Sequence, residues 1–233
     1  MHKYIILGGG GIGEALASLL HERGNEVLVI SRSAVKKFIG VKYHCIDLTK
    51  PEAVGELKDC LTQFQPTHII NTIGVLHDSN HQPEKSITRL GVDWLNESIN
   101  VNVMPTVYLV QALQSILNRR YCLKLLVLSA RVSSISDNRL GGWYSYRMSK
   151  ACLNMLIKNI SIEWHRQYPK SMIVGYHPGT VDTSLSKPFQ SNVPKEKLFS
   201  PQTASEYLLE VFAKLDLTDS GKLYDWQGQL IPS

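Results

Sequence analysis

Tyr4-Ile5-Ile6-Leu7-Gly8-Gly9-Gly10-Gly11-Ile12-Gly13-Glu14-Ala15-Leu16-Ala17 is the stretch that decides the fold. Its first four residues are a short apolar run that reads as a buried strand. Four glycines follow, then a helical pattern over 11–23 that stops at Gly24. Gly8, Gly10 and Gly13 form GxGxxG with a strand before and a helix after, the context that gives this otherwise weak pattern its meaning. Glycine lets backbone N–H groups approach a pyrophosphate, and the helix opening at Gly11 and Ile12 turns its positive end toward it. A bare turn would not explain four consecutive glycines, which are costly to order. The loop therefore predicts a bound dinucleotide.

Outward from this loop, short apolar runs alternate with longer helical patterns. Strands are predicted over 26–30, 41–46, 67–73, 122–129, 171–176 and 222–226. Helices are predicted over 51–64, 95–117, 144–167 and 201–215, with Pro105 as a bend in the second of these. The strands are continuously apolar, as expected when helices cover both faces. The β-α-β order predicts a single-domain, Rossmann-type, doubly wound parallel sheet, a three-layer α/β/α architecture spanning 1–233. Residues 184–201 lack periodicity and read as a mobile lid containing Pro188, Pro194 and Lys195.

Composition narrows the function. The chain has 233 residues, 43% hydrophobic and 19% charged, which argues against disorder and coiled coil. Its formal charge of +5 is not gathered into a basic stripe with interleaved aromatics. The expectation is therefore a nucleotide phosphate and no nucleic acid. The four cysteines are scattered, which suggests a reducing compartment without disulfides. His77 and His81 lie in a polar loop and read as solvated, so no metal is expected. The apolar run after Lys3 ends at glycine after four residues, too short for a signal peptide, and no stretch is long enough to span a membrane. The expected location is cytoplasmic.

The second predicted strand is followed by Ser31-Arg32-Ser33, about 20 residues after the glycine loop, where an acidic residue would bind ribose hydroxyls. Arg32 can instead pair with a 2′-phosphate, flanked by the neutral donors Ser31 and Ser33. This favours NADP(H) over NAD(H). Tyr146 and Lys150 lie four residues apart on one helical face. A cation beside a phenol lowers its pKa and suits it to acid/base work.

With these pieces in this order, the chain resembles the short-chain dehydrogenase/reductase family over nearly its whole length. Asp47-Leu48 stands where the family places an aspartate on the adenine. Asn71-Thr72-Ile73-Gly74 looks like its NNAG element, Asn102 like its active-site asparagine, and Tyr146 with Lys150 like YxxxK. Pro178-Gly179-Thr180-Val181-Asp182-Thr183 looks like the PGxVxT segment that holds the nicotinamide carboxamide. The residues 129–142 are most similar to the C-factor (C-signal and sniffer-type) branch.

The resemblance implies hydride transfer between a nicotinamide and a small-molecule carbonyl or secondary alcohol. Tyr146 would move the proton, Lys150 would bind the ribose, and Asn102 would hold a water linked to Lys150. It also allows a homodimer or homotetramer, with Met148, Cys152, Met155 and Trp164 as a second buried face, and no membrane partner. Two departures stand out. The loop lacks the family's threonine and is one residue shorter, and Ala130 occupies the usual place of the catalytic serine. Ser129, Ser133 and Ser134 are the replacements, with Ser133 favoured. The competing reading is a dinucleotide-binding sensor or signalling protein with little turnover. Trp143, Phe189 and Phe199 suggest an apolar or aromatic substrate pocket.

Overall fold

Successive side chains of the first strand point to opposite faces of the sheet, and both sets are apolar. Tyr4 and Ile6 enter one core, Ile5 and Leu7 the other. A strand apolar on both sides is stable only between two layers of helices. The structure, a computed structural model, describes residues 1–33, 38–191 and 193–233. In chain order its elements are β1 (Lys3–Leu7), α1 (Gly11–Glu22), β2 (Glu26–Ser31), β3 (Lys42–Cys45), α2 (Ala53–Phe64), β4 (His68–Asn71), α3 (Val92–Asn102) and α4 (Met104–Leu113). There follow β5 (Lys124–Leu128), α5 (Tyr144–Gln167), β6 (Met172–His177), β7 (Thr180–Val181), β8 (Leu198–Phe199), α6 (Pro201–Lys214) and β9 (Leu223–Asp225).

Seven strands form one parallel sheet in the order β3-β2-β1-β4-β5-β6-β9. Helices α2, α4 and α5 cover one face, α1 and α6 the other. This is the doubly wound, three-layer arrangement the sequence predicts. Leu7 pairs with Ile30 on one side and Asn71 on the other, and Asn71 pairs with Val127. The carboxyl ends of these strands therefore finish at one edge. The chain winds outward in opposite directions from β1 and β4, and the crevice this leaves at their carboxyl ends is the usual ligand position in such sheets.

The helical pattern over 95–117 is divided. It begins earlier, at Val92, and breaks at Val103, with α4 ending at Leu113. Pro105 does not bend a continuous helix; it sits in the first turn of α4, where no intrahelical N–H is needed. The lid segment holds two short 3-10 turns, and its end is tied down where Leu198 and Phe199 pair with Thr180 and Val181. The expected second face on α5 is corrected in one member. Trp164 is fully buried in the sheet-facing core, whereas Met148 and Met155 are exposed, Met155 to 62%. Among the described residues no helix is long and apolar enough to cross a membrane.

Beneath the sheet, His68 at the start of β4 stacks on Tyr4 with ring centroids 4.6 Å apart and meets Phe212 edge-on at 5.6 Å. Burial, helped by His2 and Lys124, pushes its pKa down to about 4. His177 is likewise held at about 4, chiefly by burial. The unfolded chain protonates its imidazoles near 6.5, so between pH 6.5 and 4 it binds more protons than the folded one. Stability must fall as pH is lowered through that window. Thermal denaturation from pH 7 to 4.5 should show a falling Tm, and His68→Phe should reduce the fall; an identical slope in the variant would refute the assignment to His68.

Candidate active site

The glycine loop leaves β1 at Gly8, whose φ of 101° is open to glycine and strained for other residues. A methyl on Gly13 would drive into the carbonyl oxygen of Gly8, and one on Gly11 would lie 2.7 Å from Thr183 Cγ2. The first contact closes α1 against the strand, and the second shows Thr183 lying over the start of the helix. At Gly10, the N-cap of α1, a Cβ would meet nothing within 4 Å, and no side chain caps the helix. The first amides of α1 thus border open space at a positive helix end, which fits a pyrophosphate. Ile12 packs between two clusters as the helix opens.

The neighbouring strand ends lie beside this loop. Ser31 Oγ donates to Ser33 O at 2.7 Å, and Arg32 is exposed beside them. Gly9, Glu14, Ala17, Val29, Ser31, Ser33 and Tyr43 line a small cavity of about 80 Å³. Glu14 and Tyr43 were not anticipated there; they come from one turn into α1 and from β3, which the loop motif does not specify. Asp47 Oδ1 accepts the backbone N–H and the hydroxyl of Thr49 at 3.0 and 2.7 Å. The Thr49 hydroxyl is the main cause holding that carboxyl below its usual pKa. The Leu48 side chain is buried in the core.

At the end of β4, Asn71 turns inward. It donates to Thr106 Oγ1 at 3.0 Å and accepts the N–H of Ile73 at 3.0 Å, shaping the turn that carries Thr72 and Gly74. Thr72 Oγ1 donates to Leu7 O at 2.8 Å and closes the seam between β1 and β4.

Tyr146 and Lys150 come one turn apart at the start of α5. Lys150 is only 3% exposed; its Nζ donates to Leu128 O at 2.9 Å and lies 5.9 Å from the centroid of the Tyr146 ring. Asn102 is the last residue of α3. Its Oδ1 accepts the N–H of Val75 at 2.8 Å, and its Nδ2 donates to Val75 O at 3.0 Å and to Ser149 Oγ at 2.9 Å. Ser149 Oγ donates onward to Tyr146 O at 2.9 Å. A Cβ on Gly74 would stand 3.2 Å from Asn102 Oδ1 and 3.4 Å from Lys150 Nζ. The NNAG-like turn, the asparagine and the lysine therefore meet at one point.

The expected lowering of the tyrosine pKa is not what the folded chain produces. Burial pushes the Tyr146 phenol above its ordinary value, and burial pulls the Lys150 ammonium down to about 8. Desolvation of both groups outweighs their attraction at this separation.

The serines form a closed set. Ser129 Oγ donates to Asn154 Oδ1 at 2.7 Å, Asn154 Nδ2 donates to Ser133 Oγ at 2.6 Å, and Ser133 Oγ donates to Ala130 O. Ser134 Oγ accepts the N–H of Asp137 at 3.1 Å. Asn154 escaped the sequence reading, although Tyr146, Lys150 and Asn154 recur every four residues on one helical face. Over the tyrosine, Trp143 meets its ring edge-on at 6.3 Å and Phe189 at 5.1 Å, and Phe189 meets His77 at 5.5 Å. These make an aromatic wall. Phe199 does not join it; it packs on Tyr207 and Trp226 over Gly179. Pro178, Gly179 and Val181 lead the chain from β6 to Thr183 and the glycine loop.

Comparison with known proteins agrees with this geometry. The pattern of the short chain dehydrogenase family matches residues 3–194. The chain is 26% identical over 226 residues to 1-hydroxy-2-glutathionyl-2-methyl-3-butene dehydrogenase of Rhodococcus sp. (strain AD45), covering 95% of this chain and 94% of that protein. It is 33% identical over 105 residues to the C-signal protein of Myxococcus xanthus, covering 45% of this chain and 57% of that one. The NADPH-bound carbonyl reductase from chicken fatty liver shares the fold with a TM-score of 0.84 at 20% identity, covering 100% of this chain and 99% of that one. With its parallel sheet, its glycine loop and its tyrosine and lysine one turn apart, the chain belongs to the short chain dehydrogenase family of oxidoreductases.

Proposed function

We propose that this oxidoreductase uses NADP(H) to interconvert a carbonyl and a secondary alcohol, with Tyr146 as the proton-transferring group. The observation that carries the reading is the chain of bonds from Val75 through Asn102 and Ser149 to the Tyr146 backbone, with Lys150 and Asn102 meeting beside Gly74. The family relationship, and a fold shared with an NADPH-bound carbonyl reductase, support it.

The open N-terminus of α1, Ser31, Arg32 and Thr183 would hold the dinucleotide, and Lys150 its nicotinamide ribose. When bound, the nicotinamide supplies or accepts a hydride. The protein's own part is the proton. The raised phenol pKa keeps Tyr146 protonated at neutral pH, the state needed to protonate a developing alkoxide at the substrate oxygen. The Lys150 ammonium, tied to Leu128 O, places positive charge beside the phenol as that proton leaves. Trp143, Phe189 and His77 line one side and suit a carbonyl compound bearing an aromatic or apolar group. Ser133 would orient the carbonyl oxygen once its own bond to Ala130 O is exchanged. The exposed Met148 and Met155 on α5 suit a homodimer or homotetramer.

A second reading keeps the dinucleotide and drops turnover: Ala130 has no hydroxyl, and the protons of Ser129 and Ser133 are both engaged. Benzil reduction by the NADPH complex separates the two. Tyr146→Phe should lower kcat by about 100-fold or more while NADPH affinity stays within about twofold, since the loss of a group acting only in the transition state appears in kcat. Retained turnover would remove Tyr146 from its role. As pH rises through about 8, Lys150 loses its charge and kcat/KM for reduction should fall. A flat profile between pH 7 and 9 would contradict the need for the ammonium. Arg32→Ala should weaken NADPH about 10- to 100-fold and leave NADH nearly unchanged, because a lost charge-assisted pair to phosphate is worth about 1.5–3 kcal/mol. Equal losses for both cofactors would exclude the 2′-phosphate contact.

A further inference from the structure

Helix α5 begins in an unusual way. Its N-cap residue, Trp143, is left-handed with φ 53°, and its side chain caps nothing. First-turn amides need acceptors from elsewhere, and here one comes from 61 residues upstream. Glu84 is 5% exposed and turns its carboxylate onto Ser145. One oxygen accepts the Ser145 backbone N–H at 3.1 Å, and the other accepts the Ser145 hydroxyl. The Glu84 carbonyl also accepts the N–H of Trp143 at 2.5 Å. A Cβ on Gly142 would stand 3.3 Å from that carbonyl oxygen, so the entering loop lies directly on Glu84.

We propose that Glu84 is a positioning residue for Tyr146, its buried carboxylate capping α5 across the fold and fixing the turn from which the phenol projects. The proposal rests on the reading of Tyr146 as the proton donor. The chemistry suits the place. A glutamate side chain offers two acceptor oxygens, which is what unpaired groups in the first turn of a helix need. Burying it is tolerable because both oxygens receive hydrogen bonds. The residues it grips, Trp143 and Ser145, lie three and one before Tyr146, and the Trp143 ring meets the phenol ring edge-on. From the far side Asn102 and Ser149 hold the same turn. Lys150 has its own anchor at Leu128 O, and the glycine loop touches neither clamp among the described contacts. Loosening Glu84 should therefore move the tyrosine and spare the cofactor.

The test uses the full chain with NADPH bound, in Glu84→Ala, Glu84→Gln, Ser145→Ala and Tyr146→Phe forms. Three quantities are read: amide exchange over 143–149, the NADPH dissociation constant, and kcat and KM for benzil. Glu84→Ala should speed exchange about tenfold or more and lower kcat about 10- to 100-fold, the scale of a misplacement near 1 Å, with NADPH affinity within about twofold. Glu84→Gln keeps an acceptor oxygen and should return both exchange and kcat to within about fivefold of the parent. Ser145→Ala keeps the backbone bond, loses only the hydroxyl, and should fall between; it carries the comparison if Glu84→Ala does not fold. Unchanged exchange and kcat in Glu84→Ala and Ser145→Ala would overturn the proposal. A loss of NADPH affinity equal to the loss of kcat would also overturn it, by making Glu84 a general support. A fully active Tyr146→Phe would instead defeat the proton-donor reading, while the exchange data would still report whether Glu84 caps the helix.

Discussion

The Asn102 side chain is the constraint on which the rest of the site depends. One carboxamide satisfies both backbone groups of Val75 and still donates to Ser149. It thereby joins the turn after β4, the end of α3 and the first turns of α5, three segments far apart in sequence. An amide can do this because it carries an acceptor and two donors in one plane. Buried, each of those groups would be costly to leave unpaired. α3 ends at Asn102 itself, the residue whose side chain turns to these other segments. Gly74 completes the arrangement, since a side chain there would crowd Asn102 and reach contact with Lys150.

Burial does more to set the chemistry here than attraction between charges. Tyr146 and Lys150 are both desolvated, and each is moved toward its neutral form. On the proposed reading, a phenol that holds its proton and a lysine drawn down to about 8 would make a pair able to give a proton at neutral pH, with the lysine as the pH-sensitive partner. Spacing on a helix shows that two groups share a face. It does not show how much water remains between them, and that water decides the sign of the shift.

The same distinction explains what was legible in the sequence. The glycine loop, the strand runs and YxxxK are local patterns whose physics is complete within a few residues, so the sheet and the general place of the site could be read directly. α5 was predicted over the residues it occupies, 144–167. Pro105 misled because proline is disruptive inside a helix and harmless in its first turn, and only the position of the break tells these apart. Asn71 is legible only as part of the NNAG-like motif; that its amide shapes the turn through Thr106 and Ile73 depends on partners the motif does not specify. Phe199 was assigned to the pocket by type, whereas its pairing beside β7 places it over Gly179 in a separate cluster. Glu84 could not be singled out, since its importance lies in a partner 61 residues away, and only the four-residue spacing from Lys150 marks Asn154, whose partners lie 21 and 25 residues away.

Asn154 also changes how the missing serine should be understood. Ala130 removes a hydroxyl from the strand end, but its carbonyl is retained and receives the Ser133 proton. Asn154 then ties Ser129 and Ser133 together across the gap, using its acceptor on one and its donor on the other. The loop after β5 is thus held by an internal network rather than left with a free donor. For Ser133 to serve a substrate oxygen, its proton must leave Ala130 O, while Asn154 keeps the oxygen fixed. The exchange trades one hydrogen bond for another, so its cost depends on how much negative charge the substrate oxygen carries. A neutral carbonyl offers little gain, and a developing alkoxide offers much. In this arrangement the serine contribution would grow along the reaction coordinate, the condition under which a hydrogen bond accelerates a reaction rather than merely tightening binding.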